Sequence, residues 1–353
     1  MLRRFMISML LILSVFAIFG VVTAQDSATP GPLFEVTNKY TMATVVKITG
    51  IAWFDRMEQG IGWFGQDFPS VTAFQQGPAE ADAAQQVQVI EDLIAQGVDS
   101  LCVIPFQPET VEPVLQRARE QGIVVITHES SAQQNIDFDI EAFDNAAFGR
   151  NLMDNLAERM NFEGEYTVFV GSLTSKTHNE WVDSAIAHQI ATYPNMTLVG
   201  DKNESFDDPQ VAYEKMQELL VQFPNLRGVQ GSASTDVAGV GQAVEEAGLQ
   251  DEIVVVGTSL PSIARDLIPT GAVDMISFWD PAYAGYACNL IALTMLEGKM
   301  PSQLTDGTGL PPFLSFGFPN LPGYGSMTLN NGKAFYGSAW VEVTADNLAN
   351  YDF

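Results

Sequence analysis

Residues 83–130 read AAQQVQVIEDLIAQGVDSLCVIPFQPETVEPVLQRAREQGIVVITHES, and their alternation decides the fold. Val87, Ile90, Leu93 and Ile94 recur at the three- and four-residue spacing of a helix face, and Gly97 is a residue type that ends helices. SLCVIP (100–105) is then almost wholly apolar, ETVEPVLQRAREQG (109–122) returns to helical spacing, and IVVIT (123–127) is apolar again. A strand exposed on one face alternates polar and apolar residues, whereas continuous apolar strands separated by helices predict a parallel sheet covered on both faces.

The pattern extends in both directions. MATVVKI (42–48), an amphipathic stretch to about Asp67 and VTAF (71–74) precede it. It restarts after residue 143 with a helix to 162, YTVFVG (166–171), helix 177–192, MTLVGD (196–201), helix 209–223, LRGVQG (226–231), helix 235–248 and EIVVVGTS (252–259). Two successive arrays predict an α/β protein of two doubly wound parallel-sheet lobes, and 353 residues exceed what one core usually organises. An eight-stranded barrel needs the same alternation. The polar stretch SSAQQNIDFDIEAFDN (130–145) favours two lobes, since it reads as a crossover. After helix 281–298 the Pro- and Gly-rich TDGTGLPPFLSFGFPNLPGYGS (305–326) predicts turns and short strands across the back of the lobes.

The N-terminus MLRRFMISMLLILSVFAIFGVVTAQDS places Arg3 and Arg4 before an apolar run and Val22-Thr23-Ala24 at its end. This order reads as a signal peptide over 1–24, with an uncleaved anchor helix as the alternative, followed by a flexible lead-in over 25–37. Export to the periplasm or the cell-surface space is expected, without lipid attachment because no cysteine lies near the site. Cys102 and Cys288 are the two cysteines, both in apolar runs; without a visible disulfide framework buried free thiols are expected, with pairing as the alternative. A formal net charge of −27 disfavours nucleic acid and anionic membrane surfaces as partners and points to neutral or cationic solutes.

Enzyme signatures fail on position or are missing. Gly60-Ile-Gly62-Trp-Phe-Gly65 matches a dinucleotide-binding motif in letters, but it lies late in a helical stretch and not where a strand becomes a helix. Neither a nucleophile elbow nor a P-loop occurs. The histidines are His128, His178 and His188, with no His-x-x-x-His or Cys-x-x-Cys pair to form a metal site. No catalytic residue, metal or cofactor is expected, and His188 reads as an ordinary helix residue.

Open α/β sheets bind ligands at the carboxyl ends of their strands. Those ends carry Lys47, Trp53 and Phe54, then His128 and Glu129, then Thr177, His178 and Asn179, then Ser232 and Ser234, and finally Trp279 and Asp280. Aromatic faces, short hydroxyls, amides and carboxylates together suit a polyhydroxylated ligand, whose C–H faces pack on rings while its hydroxyls need fixed donors and acceptors.

These residues resemble the type I periplasmic sugar-binding proteins of ABC importers, in the branch holding rhamnose-type and autoinducer-2-type receptors. VVKITGIAWF, the 83–130 stretch, NEWVDSAIA, DVAGVGQAVEEAG, VVVGTSLPSIARDLIPTGAVDMISFWDP and NLANYDF carry the resemblance in order across nearly the whole mature sequence. It implies that Lys47 contacts the ligand, that Trp53 forms an aromatic wall, and that Glu129 stands where the family has an aspartate. Thr177-His178 replaces the family's Asp-Gln pair, and Ser232-Ala233-Ser234 replaces a Pro-x-Ala contact. The frame is thus kept and the contacts changed, which makes a pentose, hexose or deoxyhexose the expected ligand rather than autoinducer-2.

The resemblance also implies hinge closure of a monomer that then docks on a membrane permease. Hinges are expected near 129–131, 279–281 and 299–301, with one lobe from 38–129 plus 281–299 and the other from 130–280 plus 300–353. Rival readings need features not evident here: an exported sugar enzyme needs a nucleophile–base pair or metal, and a DNA-linked sensor needs an N-terminal helix-turn-helix. A receptor domain of a signalling kinase would continue past residue 353 into a second membrane span.

Overall fold

The computed structural model describes residues 30–301, 316–330 and 332–353. The expected signal peptide and residues 25–29 of the lead-in lie outside these residues. The first array forms β1 (Tyr40–Val45), α1 (Ala52–Asp67), β2 (Val71–Gln76), α2 (Ala83–Gln96), β3 (Ser100–Val103), α3 (Pro108–Glu120), β4 (Val124–His128) and β5 (Phe138–Glu141). The second forms α4 (Asn145–Arg159), β6 (Gly164–Val170), α5 (Lys176–Thr192), β7 (Met196–Leu198), β8 (Asn203–Glu204), α6 (Pro209–Gln222), β9 (Leu226–Gly231), α7 (Asp236–Ala247), β10 (Val254–Thr258), α8 (Pro261–Ala264) and β11 (Met275–Phe278). Then follow α9 (Pro281–Leu296), β12 (Thr328–Asn330), β13 (Ala334–Tyr336) and β14 (Val341–Val343).

Two separate sheets result, so the chain folds as two doubly wound lobes rather than a closed barrel. The first has the order β12-β13-β5-β4-β3-β1-β2, and the second β14-β11-β10-β9-β6-β7, with β8 pairing β6. All pairings are parallel except β12–β13 and β11–β14. In each sheet the chain starts inside, moves to one neighbour and then winds the other way, so each has a switch point, between β1 and β3 and between β6 and β9.

Local chemistry explains the elements. Asp82 caps α2 by accepting the Gln85 N–H at 2.8 Å, and Gly97 ends it in the left-handed conformation with φ 75°. On β1, Met42 joins one apolar cluster with α1 and α9, while Ala43 and Val45 join another with α2 and α3. That alternation is the pleat of a strand covered on both faces. Gly60, from the apparent dinucleotide motif, is a packing residue: a Cβ there would lie 1.9 Å from the Ala282 carbonyl oxygen, so only glycine lets α1 approach α9.

Sheet membership corrects the expected lobe limits. β5 pairs with β4, and β13 with β5 and β12, so residues 138–141, 328–330 and 334–336 belong to the first sheet and not the second. The chain passes between sheets after β5, after β11 and after β13, rather than at 129–131 and 299–301. Each passage carries a large aromatic: Phe143, Trp279 and Trp340, with Phe143 5.1 Å from Trp279 and 5.2 Å from Trp340 between ring centres. The cysteines are also corrected. Cys102 on β3 and Cys288 on α9 form a disulfide, because α9 returns to lie across the strand 186 positions earlier in the chain.

Candidate functional site

The strand ends of the two sheets face one another across a cavity with about 290 Å³ of empty space. It is lined by Lys47, Ile51, Trp53, Phe54, Glu129, His178, Trp181, Asp207, Ser232, Ser234, Thr258 and Trp279. One end is apolar. Trp53 and Trp279 meet edge to face at 4.7 Å, Trp181 stands 5.7 Å from Trp279, and the Trp181 Nε1–H donates to Asn145 Oδ1 at 2.8 Å. The Trp279 Nε1–H is buried with no acceptor among the described residues.

The polar end joins the lobes. Lys47, just after β1, places Nζ 3.1 Å from Asp207 Oδ1, just after β8, and both side chains are almost wholly buried. Burial opposes the Lys47 ammonium, but Asp207, Glu129 and Asp236 together outweigh it and hold the amine above the ordinary lysine value. Asp207 and its neighbour Phe206 have φ of 56° and 57°, a left-handed pair that turns the carboxylate inward and leaves Phe206 half exposed. Glu129 is likewise left-handed, at φ 60°, and its carbonyl accepts the Thr177 hydroxyl of the other lobe at 2.8 Å. Such conformations cost about 1 kcal/mol or more each and persist where surrounding bonds over-determine them.

His178 accepts the Gly171 N–H on Nδ1 at 3.1 Å, which places its own proton on Nε2. Burial, and then the Lys47 charge, push this imidazole down to about 3, so it is a neutral donor at physiological pH. In the second lobe Asp236 Oδ2 accepts the Ser232 and Ala233 N–H groups at 3.0 and 2.8 Å, fixing the turn that presents Ser232. Burial raises the Asp236 carboxyl to about 7, against hydrogen bonds from Ser205 and these amides. The hydroxyls of Ser232 and Thr258 and Asp207 Oδ2 are buried with no hydrogen-bond partner among the described residues. A buried polar atom left unpaired costs about 1–3 kcal/mol, so this end is built to receive hydrogen bonds from something else.

The sequence profile described as "Periplasmic binding protein domain" matches residues 42–300. The chain belongs to this family. It is a family of non-catalytic solute-binding proteins. Among relatives, this binding protein is 23% identical to the D-ribose/D-allose-binding protein of Pseudomonas aeruginosa over 77% of this chain and 87% of that one. It is similar in structure to a solute-binding protein from Clostridium phytofermentas with bound L-rhamnose, with a TM-score of 0.79, 19% identity and coverage of 90% and 99%. LsrB from Clostridium saccharobutylicum in complex with AI-2 superposes with a TM-score of 0.78 at 20% identity, covering 89% and 100%.

Of the residues expected in the site, Lys47, Trp53, Phe54, Glu129, His178, Ser232, Ser234 and Trp279 are brought together around this binding protein's cavity. Four are placed elsewhere. Asp280 caps α9 through the Ala282 N–H at 2.9 Å and holds Arg56 with both oxygens at 2.9 and 2.7 Å, so it faces away from the cavity. Asn179 donates to the carbonyls of Ser172 and Ser175 and accepts from Lys202, which makes it a support for the turn before α5. Thr177 bonds the Glu129 backbone, and His128 is buried behind the cavity with Nδ1 2.6 Å from the Ile140 carbonyl. Asp207, Trp181 and Thr258 were not expected. Trp181 lies within the quoted NEWVDSAIA, one turn past His178, and Asp207 follows a strand of two residues, too short to leave a periodic signal.

Proposed function

We propose that this chain is the exported receptor of an ABC importer and that it captures a neutral monosaccharide, a pentose, hexose or deoxyhexose, by closing its lobes. The observation that carries this reading is the cavity itself, with tryptophan faces at one end and, at the other, an ion pair that joins the lobes and orphaned hydroxyls of the second lobe. Among the described residues its one lining cation, Lys47, is already matched by Asp207, and Glu129 adds a second carboxylate, so sugar acids and phosphates are disfavoured. Relatives named for ribose and allose, and similar structures holding rhamnose, support the same class. The Cys102–Cys288 disulfide supports export to an oxidising compartment.

Because each lobe supplies part of the polar contacts, a ligand binds the closed form more tightly than the open one and shifts the population toward it. The closed monomer then docks on its membrane permease. A second reading, reception of autoinducer-2, is favoured by the retained Lys47 and by the likeness to LsrB.

A thermal-shift screen against D-ribose, D-allose, D-xylose, D-arabinose, L-rhamnose, D-fucose and autoinducer-2 tests the reading. At least one neutral sugar is expected to stabilise the protein by about 2.7 kcal/mol at a hundred times its Kd and to be recovered chemically unchanged. Stabilisation by none of them, or turnover of the sugar, contradicts it. Trp53→Ala removes one apolar wall, worth about 1–3 kcal/mol of burial, and should weaken that sugar at least five-fold by calorimetry. Unchanged affinity would make the ring purely structural.

A further inference from the structure

Asp139 and Glu141 alternate on β5, so their side chains share one face of the strand, and both are buried. Both carboxyl groups are buried on that face and the charge of one bears on the other, so holding both ionised there is costly. Asp139 Oδ1 also accepts the Thr127 hydroxyl at 2.7 Å and the Ser130 N–H at 3.2 Å. Asp139 Oδ2 and Glu141 Oε1 are buried with no hydrogen-bond partner among the described residues. The bond to Ser130 anchors the turn in which Glu129, the preceding residue, takes its left-handed conformation and enters the cavity. Glu141 is the last residue of β5 before the chain passes to the second lobe.

We propose that Asp139 and Glu141 share one proton and act as positioning residues for Glu129, so that ligand affinity follows pH. The proposal rests on reading the cavity as a sugar site. Burial is the main cause that raises both groups, Asp139 to about 7 and Glu141 well above the usual carboxylate range; the Thr127 and Ser130 bonds oppose it for Asp139, and Glu129 reinforces it for both. The other groups facing the pair are Glu180 from α5, itself paired with Lys176, and Tyr336 from β13. Tyr324, a buried phenol close to Glu129, Glu141 and Asp280, and His128 from β4 complete the surroundings.

With the proton in place, the pair carries a single negative charge. Loss of the proton adds a negative charge in a site from which water is largely excluded, and the repulsion falls on the Ser130 turn that holds Glu129. The sign follows from linkage. A carboxyl raised in the folded state contributes stability that is full below its unfolded value near about 3.9 and is lost as pH rises through about 7.

The test compares wild type with D139N/E141Q, which keeps shape and hydrogen-bonding groups without the titrating proton; D139N alone serves if the double variant does not fold. In ligand-free thermal unfolding from pH 5.5 to 8.5, wild type should lose several degrees of Tm relative to the variant, and an offset independent of pH overturns the shared proton. In calorimetry with whichever sugar of the panel binds, wild-type affinity should fall at least five-fold between pH 6.0 and 8.5 while the variant's profile is flat. Parallel profiles overturn the positioning role. Failure of every sugar to bind overturns the function reading instead, and the ligand-free melting still decides the pair.

Discussion

Asp207→Ala is expected to weaken ligand binding by two decades or more while leaving the lobes folded. Asp207 and Lys47 are almost wholly buried and joined at 3.1 Å, and removing one member of such a pair strands the other charge at a cost of about 3–5 kcal/mol. The partners come from different lobes, so Lys47 can regain water if the cleft opens. The cost therefore falls on the closed form and appears as lost affinity, at about 1.4 kcal/mol per decade, more than as lost folding stability. Calorimetry gives the affinity, and small-angle scattering should show a less compact molecule. A Lys47→Met/Asp207→Leu variant should close again, because an apolar pair of similar volume replaces the charges, yet it should not recover sugar binding. Tight binding by that variant would remove the ion pair from the site.

Loss of the Cys102–Cys288 bond is expected to destabilise the protein by about 2–4 kcal/mol, since the bond closes a loop of 186 positions and constrains the unfolded chain. Both residues lie in the first lobe, one on β3 and one on α9, so the effect should be read in urea unfolding and not in ligand affinity well below Tm. The Cys102→Ala/Cys288→Ala variant and the reduced wild type should agree. An unchanged urea midpoint in both would show that the apolar packing of α9 against β3 suffices.

The two-lobe plan was legible because parallel strands covered on both faces are continuous apolar runs, as SLCV and VVITH are. β5 was not. Its sequence FDIE carries two inward carboxyls, so a buried strand looked like a polar crossover. The disulfide was hidden for a topological reason: β3 precedes the excursion into the second lobe and α9 follows it. Strand-end reasoning located Lys47, Glu129, His178 and Ser232 because those positions depend on the backbone path alone. It misplaced Asp280 because the direction of a side chain depends on its neighbours, here Arg56 and the first turn of α9.

A crystal structure with the most tightly bound sugar of the panel tests the central claim most directly. The account predicts one sugar ring between the lobes, its apolar face against Trp53 or Trp279 and its hydroxyls on Lys47, Glu129, Asp207 and Ser232. A sugar bound outside this cavity, or one held within it without contact to residues of both lobes, would contradict it.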